Sequence, residues 1–197
     1  MQEGGSKSKT RQNTRLLKYR IKDENIEYEA EYIIPLPVLS TGKVAGQSEM
    51  HFISDDQFLV LARDSGAGNG QESSESIYRN ADVIDISNAT NIKNATNDAV
   101  GGAVASSKGE LKPGIVPATY CPWLSYNNNN ELRRFGAHNG GEQDAGLLNE
   151  KWESLALAPV DDKYQTKGEG KEYYLISVSD NDFITQNGKL PCCIMNE

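Results

Sequence analysis

Phe58-Leu59-Val60-Leu61-Ala62-Arg63-Asp64-Ser65-Gly66-Ala67-Gly68-Asn69-Gly70 is the stretch that decides how this chain is read. Five apolar residues in succession, Phe58 to Ala62, read as a buried strand. The charged pair Arg63-Asp64 follows at once, and then come Gly66, Gly68 and Gly70. A strand of this kind delivers its charged pair to the rim of a sheet, where loops held by a rigid scaffold carry function. The design returns in Tyr173-Tyr174-Leu175-Ile176-Ser177-Val178-Ser179-Asp180-Asn181-Asp182, again an apolar run that ends in acids.

Working outward, the flanking segments keep the same character. Glu49 to Ser54 reads as a short strand, and Asp55-Asp56 turn it into the opening stretch. Ile26, Tyr28, Ala30, Tyr32 and Ile34 alternate with polar residues, which is the period of a half-exposed strand closed by Pro35 and Pro37. Ile77 to Ile86 and Ser154 to Ala158 read as further strands. Ser87 to Lys108 is polar and unpatterned and reads as a long surface loop. Ile115 to Trp123 reads as irregular, with Pro113, Pro117 and Pro122 in or beside it, and Tyr126 to Asn130 as a turn or flexible segment. Short strands, frequent turns and little helical periodicity predict an all-β fold: sandwich, barrel or propeller. The unit of two apolar strands ending in acid occurs as Met50–Asp64 and as Ser154–Asp182. That repeat favours a β-propeller-like architecture, incomplete and with long loops.

The chain has 197 residues and a net charge of -8, unevenly distributed. Residues 1–22 hold seven Lys/Arg against Glu3 alone, giving +6, while the remainder holds thirteen against twenty-seven acids, giving -14. The acidic body argues against nucleic acid as a partner, and its carboxylates suit a hard cation. Residues 1–22 read as a basic tail or linker without the apolar core of a signal peptide, and within them Arg15–Ile21 could start a strand. No apolar run is long enough to span a membrane. Asn88-Ala89-Thr90 and Asn94-Ala95-Thr96 are glycosylation sequons. Cys121, Cys192 and Cys193 make an odd set, and a Cys121 pairing with one of the others or free thiols both stay open.

Four blocks carry a family resemblance: Met50–Gly70, Tyr78–Ile92, Leu148–Val160 and Tyr173–Gly188. In this order they resemble the fungal phytase-like family with esterase-like activity, matching its C-terminal portion over roughly residues 26–188. The resemblance implies a secreted, propeller-type hydrolase of small-molecule phosphoesters, with residues 23–188 as the phytase-like portion. Residues 189–197, Lys189-Leu-Pro-Cys-Cys-Ile-Met-Asn-Glu197, depart from the pattern and read as a divergent tail of a shortened product.

The candidate chemistry follows from these rims. Asp64 is a rim carboxylate that can bind a cation or move a proton, or serve as a turn residue. Glu153, beside Trp152, falls in a block where the resembled family has a recurrent acid. Asp180 and Asp182 share a strand face, and calcium would relieve their repulsion. The expected set is Asp64, Glu153 and Asp180 as catalytic residues, and Asp64, Asp180 and Asp182 as calcium ligands. Arg63 and His138 would contact the phosphate, and Asn88 and Asn94 would carry glycans. For Arg63, strand alternation argues instead for an ion pair and for a face opposite to Asp64. Glu150 reads as a solvated residue. Two other readings remain beside the hydrolase: a non-catalytic, calcium-stabilised binding propeller, and a shortened chain without activity of its own.

Overall fold

The computed structural model describes residues 2–3, 7–160 and 172–180. Asp182, Cys192, Cys193, the segment after Asp180 and most of the loop before Tyr173 lie outside the described residues. The chain is mostly β and forms three antiparallel sheets in sequence order. Sheet I holds β1 (Gln2–Glu3), β2 (Asn13–Lys22) and β3 (Asn25–Pro35). Sheet II is a meander of β4 (Gly46–Phe52), β5 (Gln57–Arg63), β6 (Arg79–Asp85) and β7 (Thr119–Ser125). Sheet III pairs β8 (Lys151–Pro159) with β9 (Tyr173–Asp180). One helical turn, α1 (Asn129–Leu132), is capped by the Asn128 side chain. The described sheets do not close on themselves.

The unbroken apolar run of β5 has a simple cause: it is covered on both faces. Phe58, Val60 and Ala62 face sheet I and pack with Leu16, Ile34, Leu36 and Ile84. Leu59 and Leu61 face the other way and pack with Ala81, Leu155, Trp152 and Leu175. Sheet II is therefore the middle layer. Its last turn is tied to sheet III by Tyr126, whose ring stacks on Trp152 at 4.4 Å and whose hydroxyl bonds Ser177.

Three segments differ from the sequence reading. Residues 1–22 are not tail throughout, because Asn13–Lys22 form β2. Asn13, Thr14 and Leu16 are buried, and Arg15 pairs with the buried Glu31 at 2.6 Å. Loop 87–118 is not merely surface. Ile92, Val104 and Ala105 bury against Ile33, covering the far face of β3, and Arg15 donates to the carbonyls of Asn97 and Gly102. Asn88 and Asn94 remain exposed on it.

The third difference is Thr119–Ser125, which is a strand despite Pro122. It is the last strand of its sheet, where a missing donor is tolerated, and the register shifts there so that Val83 faces Cys121 but Ala81 faces Leu124. Asp82 lies at the shift, and its carboxylate accepts from the Trp123 amide at 3.1 Å. It also accepts from Tyr78 Oη at 2.6 Å, Tyr120 Oη at 2.9 Å and Asn80 Nδ2 at 3.2 Å. Asp82 is fully buried, at 0% exposure. Burial and the Asp82 carboxylate push both phenols well above the usual tyrosine value.

Candidate functional site

β5 ends at Arg63, the chain turns, and both Arg63 and Asp64 line one cleft of about 500 Å³. Alternation does not part them, because Asp64 lies beyond the end of the strand. The other walls come from the loop into β4 (Leu39, Lys43, Val44), from β4 itself (Ser48) and from the 65–77 loop (Gly66, Glu75, Ile77).

Arg63 is the hub. Nη2 lies 3.1 Å from Glu153 Oε1, Nη1 lies 3.6 Å from Glu150 Oε1, and Nε donates to Ser48 Oγ at 3.0 Å. Nη1 also donates to the Asp64 carbonyl at 3.2 Å. Glu153 reaches it because β8 bulges between Trp152 and Ser154, and a bulge re-aims the extra residue. The indole beside Glu153 stacks on Tyr126 instead. Glu150, read as solvated, has a side chain only 12% exposed, and its Oε1 also accepts from the Gly66 amide at 2.8 Å. The Glu153 side chain is 43% exposed.

Asp64 is held firmly. Oδ1 accepts from Ser76 Oγ at 2.7 Å and Oδ2 from the Ile77 amide at 2.7 Å. Ser76 is fixed in turn by the amide of Asn139, which donates to its carbonyl and accepts from its N–H, and by Asn127. The asparagine-rich run 126–130, read as a turn or flexible segment, is thus part of the framework behind Asp64.

Arg79 went unrecognised in the sequence. It is the register partner of Arg63 on β6, is 1% exposed, and its Nε is the one buried side-chain nitrogen or oxygen without a hydrogen-bond partner among the described residues. Nη1 and Nη2 make only long bonds, to Asn127 and to the Ala67 carbonyl. Burial pulls its guanidinium down to about 10, against the opposing attraction of Asp64 and Glu150, so it stays charged at neutral pH. Its sole signal in the sequence was an arginine at the head of a strand that also carries Asn80, Asp82 and Asp85.

His138 does not line the cleft. Nδ1 meets the Gly140 carbonyl at 2.7 Å and Nε2 meets Asp144 Oδ1 at 2.8 Å. Both partners accept, so both ring nitrogens donate, which is the imidazolium form. Asp144 and then the Gly140 carbonyl raise the His138 pKa, and His138 holds Asp144 below the usual carboxylate value. The clip closes loop 136–147, which braces the glycine loop through Gln143 to Gly70 and Asn69 to the Asp144 carbonyl. A group raised in the folded state contributes stability below its unfolded pKa, and that contribution is lost as pH rises through the folded value. The clip should therefore loosen above pH 6.5, the ordinary histidine value. An NMR titration of His138 should give a value above 6.5 that falls back in Asp144→Asn; an unchanged value there would contradict the pairing.

Asp180 ends β9 opposite Lys151, at the same end of sheet III as Glu150 and Glu153, but does not line the cleft. Among the described residues no three Asp, Glu, His or Cys side chains group as a metal site. Of the carboxylates expected to bind calcium, Asp64 already accepts one bond on each oxygen, and Asp182 lies outside the described residues. Cys121 is exposed and has no disulfide partner among the described residues.

Stacked antiparallel sheets bearing an arginine–carboxylate cleft at a strand rim define the general class of this chain. More particularly, a family model for phytase-like proteins, described as esterase-like activity of phytase, matches residues 1–183, and the chain belongs to that family. The match begins upstream of residue 26, where the resemblance in the sequence began. An uncharacterized secreted protein of Arthroderma benhamiae is 46% identical over 197 aligned residues, covering 94% of this chain and 38% of the relative. The chain thus spans well under half the length of that relative. No solved structure matches. No helix among the described residues is long and apolar enough to cross a membrane.

Proposed function

We propose that this chain is part of a secreted phytase-like hydrolase and that the Arg63–Asp64 cleft receives a phosphoester. The three sheets would be successive blades of a propeller, since each is antiparallel, contiguous in sequence and packed face to face on the next. Extracellular residence is proposed from the secreted relative, and glycans on the exposed Asn88 and Asn94 go with it.

The observation that carries the reading is Arg63 itself. Arg63 lines the cleft with each of its three nitrogens already donating within the protein, so a phosphate would bind through the remaining N–H groups and by displacing Ser48 Oγ from Nε. Lys43 lines the same cleft from the loop into β4 and enters no ion pair among the described residues. Arg63 and Lys43 would hold and orient the phosphate. Glu153 does not line the cleft but pairs with Arg63 at 3.1 Å, and from there would orient the guanidinium toward the phosphate. Asp64, with both oxygens engaged, fixes the loop that lines the cleft and positions the site.

The test is turnover of 4-nitrophenyl phosphate by the full chain. Arg63→Ala should lower kcat/KM by about 100-fold, the usual scale for removing one donor that stabilises transition-state charge. Arg63→Lys, which keeps the charge and loses the fork, should recover part of that. Wild-type turnover in Asp64→Asn/Glu153→Gln would sink the assignment.

A further inference from the structure

We infer that the cleft selects a singly phosphorylated ester with an apolar or aromatic body over a polyphosphorylated polyol such as inositol hexakisphosphate. The inference rests on the phosphoester reading of the same cleft and narrows its substrate class.

Two observations carry it. The first is charge. The lining residues include two cations, Lys43 and Arg63, and two acids, Asp64 and Glu75. Arg63 is further engaged by Glu150 and Glu153, which stand behind it. One phosphate placed between Lys43 and Arg63 meets compensating charge. A second or third phosphate on the same ring meets Asp64 or Glu75, and like charges in a cleft repel at short range. A site built for a polyanion would present several unpaired cations; this one presents Lys43. The chain carries -8 overall, which adds to the repulsion.

The second observation is the wall. Leu39, Val44 and Ile77 line the cleft, and Ile77 is 48% exposed although its own amide is fixed by Asp64. An aliphatic side chain held in place and facing a cleft is a surface for an apolar body; a polyol with a phosphate on every carbon has none to offer. At about 500 Å³ the space falls within the usual range for small-molecule sites.

The experiment is calorimetric binding to the full chain at 0.15 M salt, with phenyl phosphate, inorganic phosphate and inositol hexakisphosphate as probes. Phenyl phosphate should bind at least about tenfold more tightly than the hexakisphosphate, with a preference that narrows as salt screens the repulsion. Glu75→Gln should narrow it at constant salt. Ile77→Ser should weaken phenyl phosphate by about tenfold, the scale of one lost apolar contact, and leave inorganic phosphate unchanged. Equal or tighter binding of the hexakisphosphate, or no response of phenyl phosphate to Ile77→Ser, overturns the inference. Selective binding of phenyl phosphate without turnover of 4-nitrophenyl phosphate upholds the selectivity and overturns the hydrolase reading, so the two failures are separable.

Discussion

Asp82→Ala is expected to destabilise the fold by about 4 kcal/mol or more, an effect in the exceptional range for a single substitution. The carboxylate is at 0% exposure and accepts from Tyr78, Tyr120, Asn80 and the Trp123 amide. Its removal leaves four donors facing a void, and each buried donor left without a partner costs about 1–3 kcal/mol before relaxation. The Trp123 amide is the critical one. Pro122 cannot donate and the strand register shifts beside it, so the side chain supplies what the ladder omits. Asp82→Asn keeps the shape but turns one acceptor into a donor among donors, and should recover little. Tyr78→Phe removes one bond and should cost only about 1 kcal/mol. Urea denaturation followed by tryptophan fluorescence reads all three; an Asp82→Ala loss no larger than that of Tyr78→Phe would show that the network does not hold β7.

The second large effect is expected at Gly68. Its φ is +132°, and a Cβ there would lie 2.7 Å from the Glu150 amide nitrogen and 2.7 Å from the Leu148 carbonyl oxygen, both backbone atoms. Gly68→Ala combines backbone strain with overpacking, each of the order of 1–3 kcal/mol, for a loss of about 3 kcal/mol. The comparison is Gly66→Ala, at φ +81° with open space around the Cβ, which meets only the left-handed penalty of about 1–2 kcal/mol. The difference between the two denaturation midpoints isolates the close approach. Gly68→Ala should also push Glu150 away from Gly66 and Arg63, so Arg63-dependent turnover should fall with it. Equal midpoints for the two variants would mean that the 148–150 segment yields freely.

Much of the architecture was legible because burial imprints a period. β3 showed alternation, and β5, buried on both faces, showed an unbroken apolar run. β2 showed only as a strand start at Arg15–Ile21, because Arg15 and Arg20 find Glu31 and Glu29 on the neighbouring strand and Lys18 reaches the Asp55 carbonyl, contacts that supply no local signal. β7 was hidden by Pro122, and only the distant Asp82 explains why a strand survives there. At the site, Arg63, Asp64 and Glu153 could be named because strand ends and acids are local features. Glu150 and Arg79 could not, since their importance arises from loops and strands up to about ninety residues apart meeting in space. The phosphate role for His138 was suggested by a glycine-rich loop, whereas the structure gives that residue to the closure of the loop itself.

Each sheet is contiguous in sequence and each packs on the one before it, and this has a consequence during synthesis. Sheets I and II can join as soon as Ser125 has emerged, closing the core around Ile34, Val60 and Ile84. The opposite face of sheet II, with Leu59, Leu61 and Ala81, must then wait for Leu155 and Leu175. At about 5–20 residues per second, the fifty residues from Ser125 to Leu175 take roughly 2.5–10 seconds to add. For that interval the nascent chain presents a finished sheet with one greasy face to the solvent. That face is where a holding chaperone, or a neighbouring nascent copy, would find it.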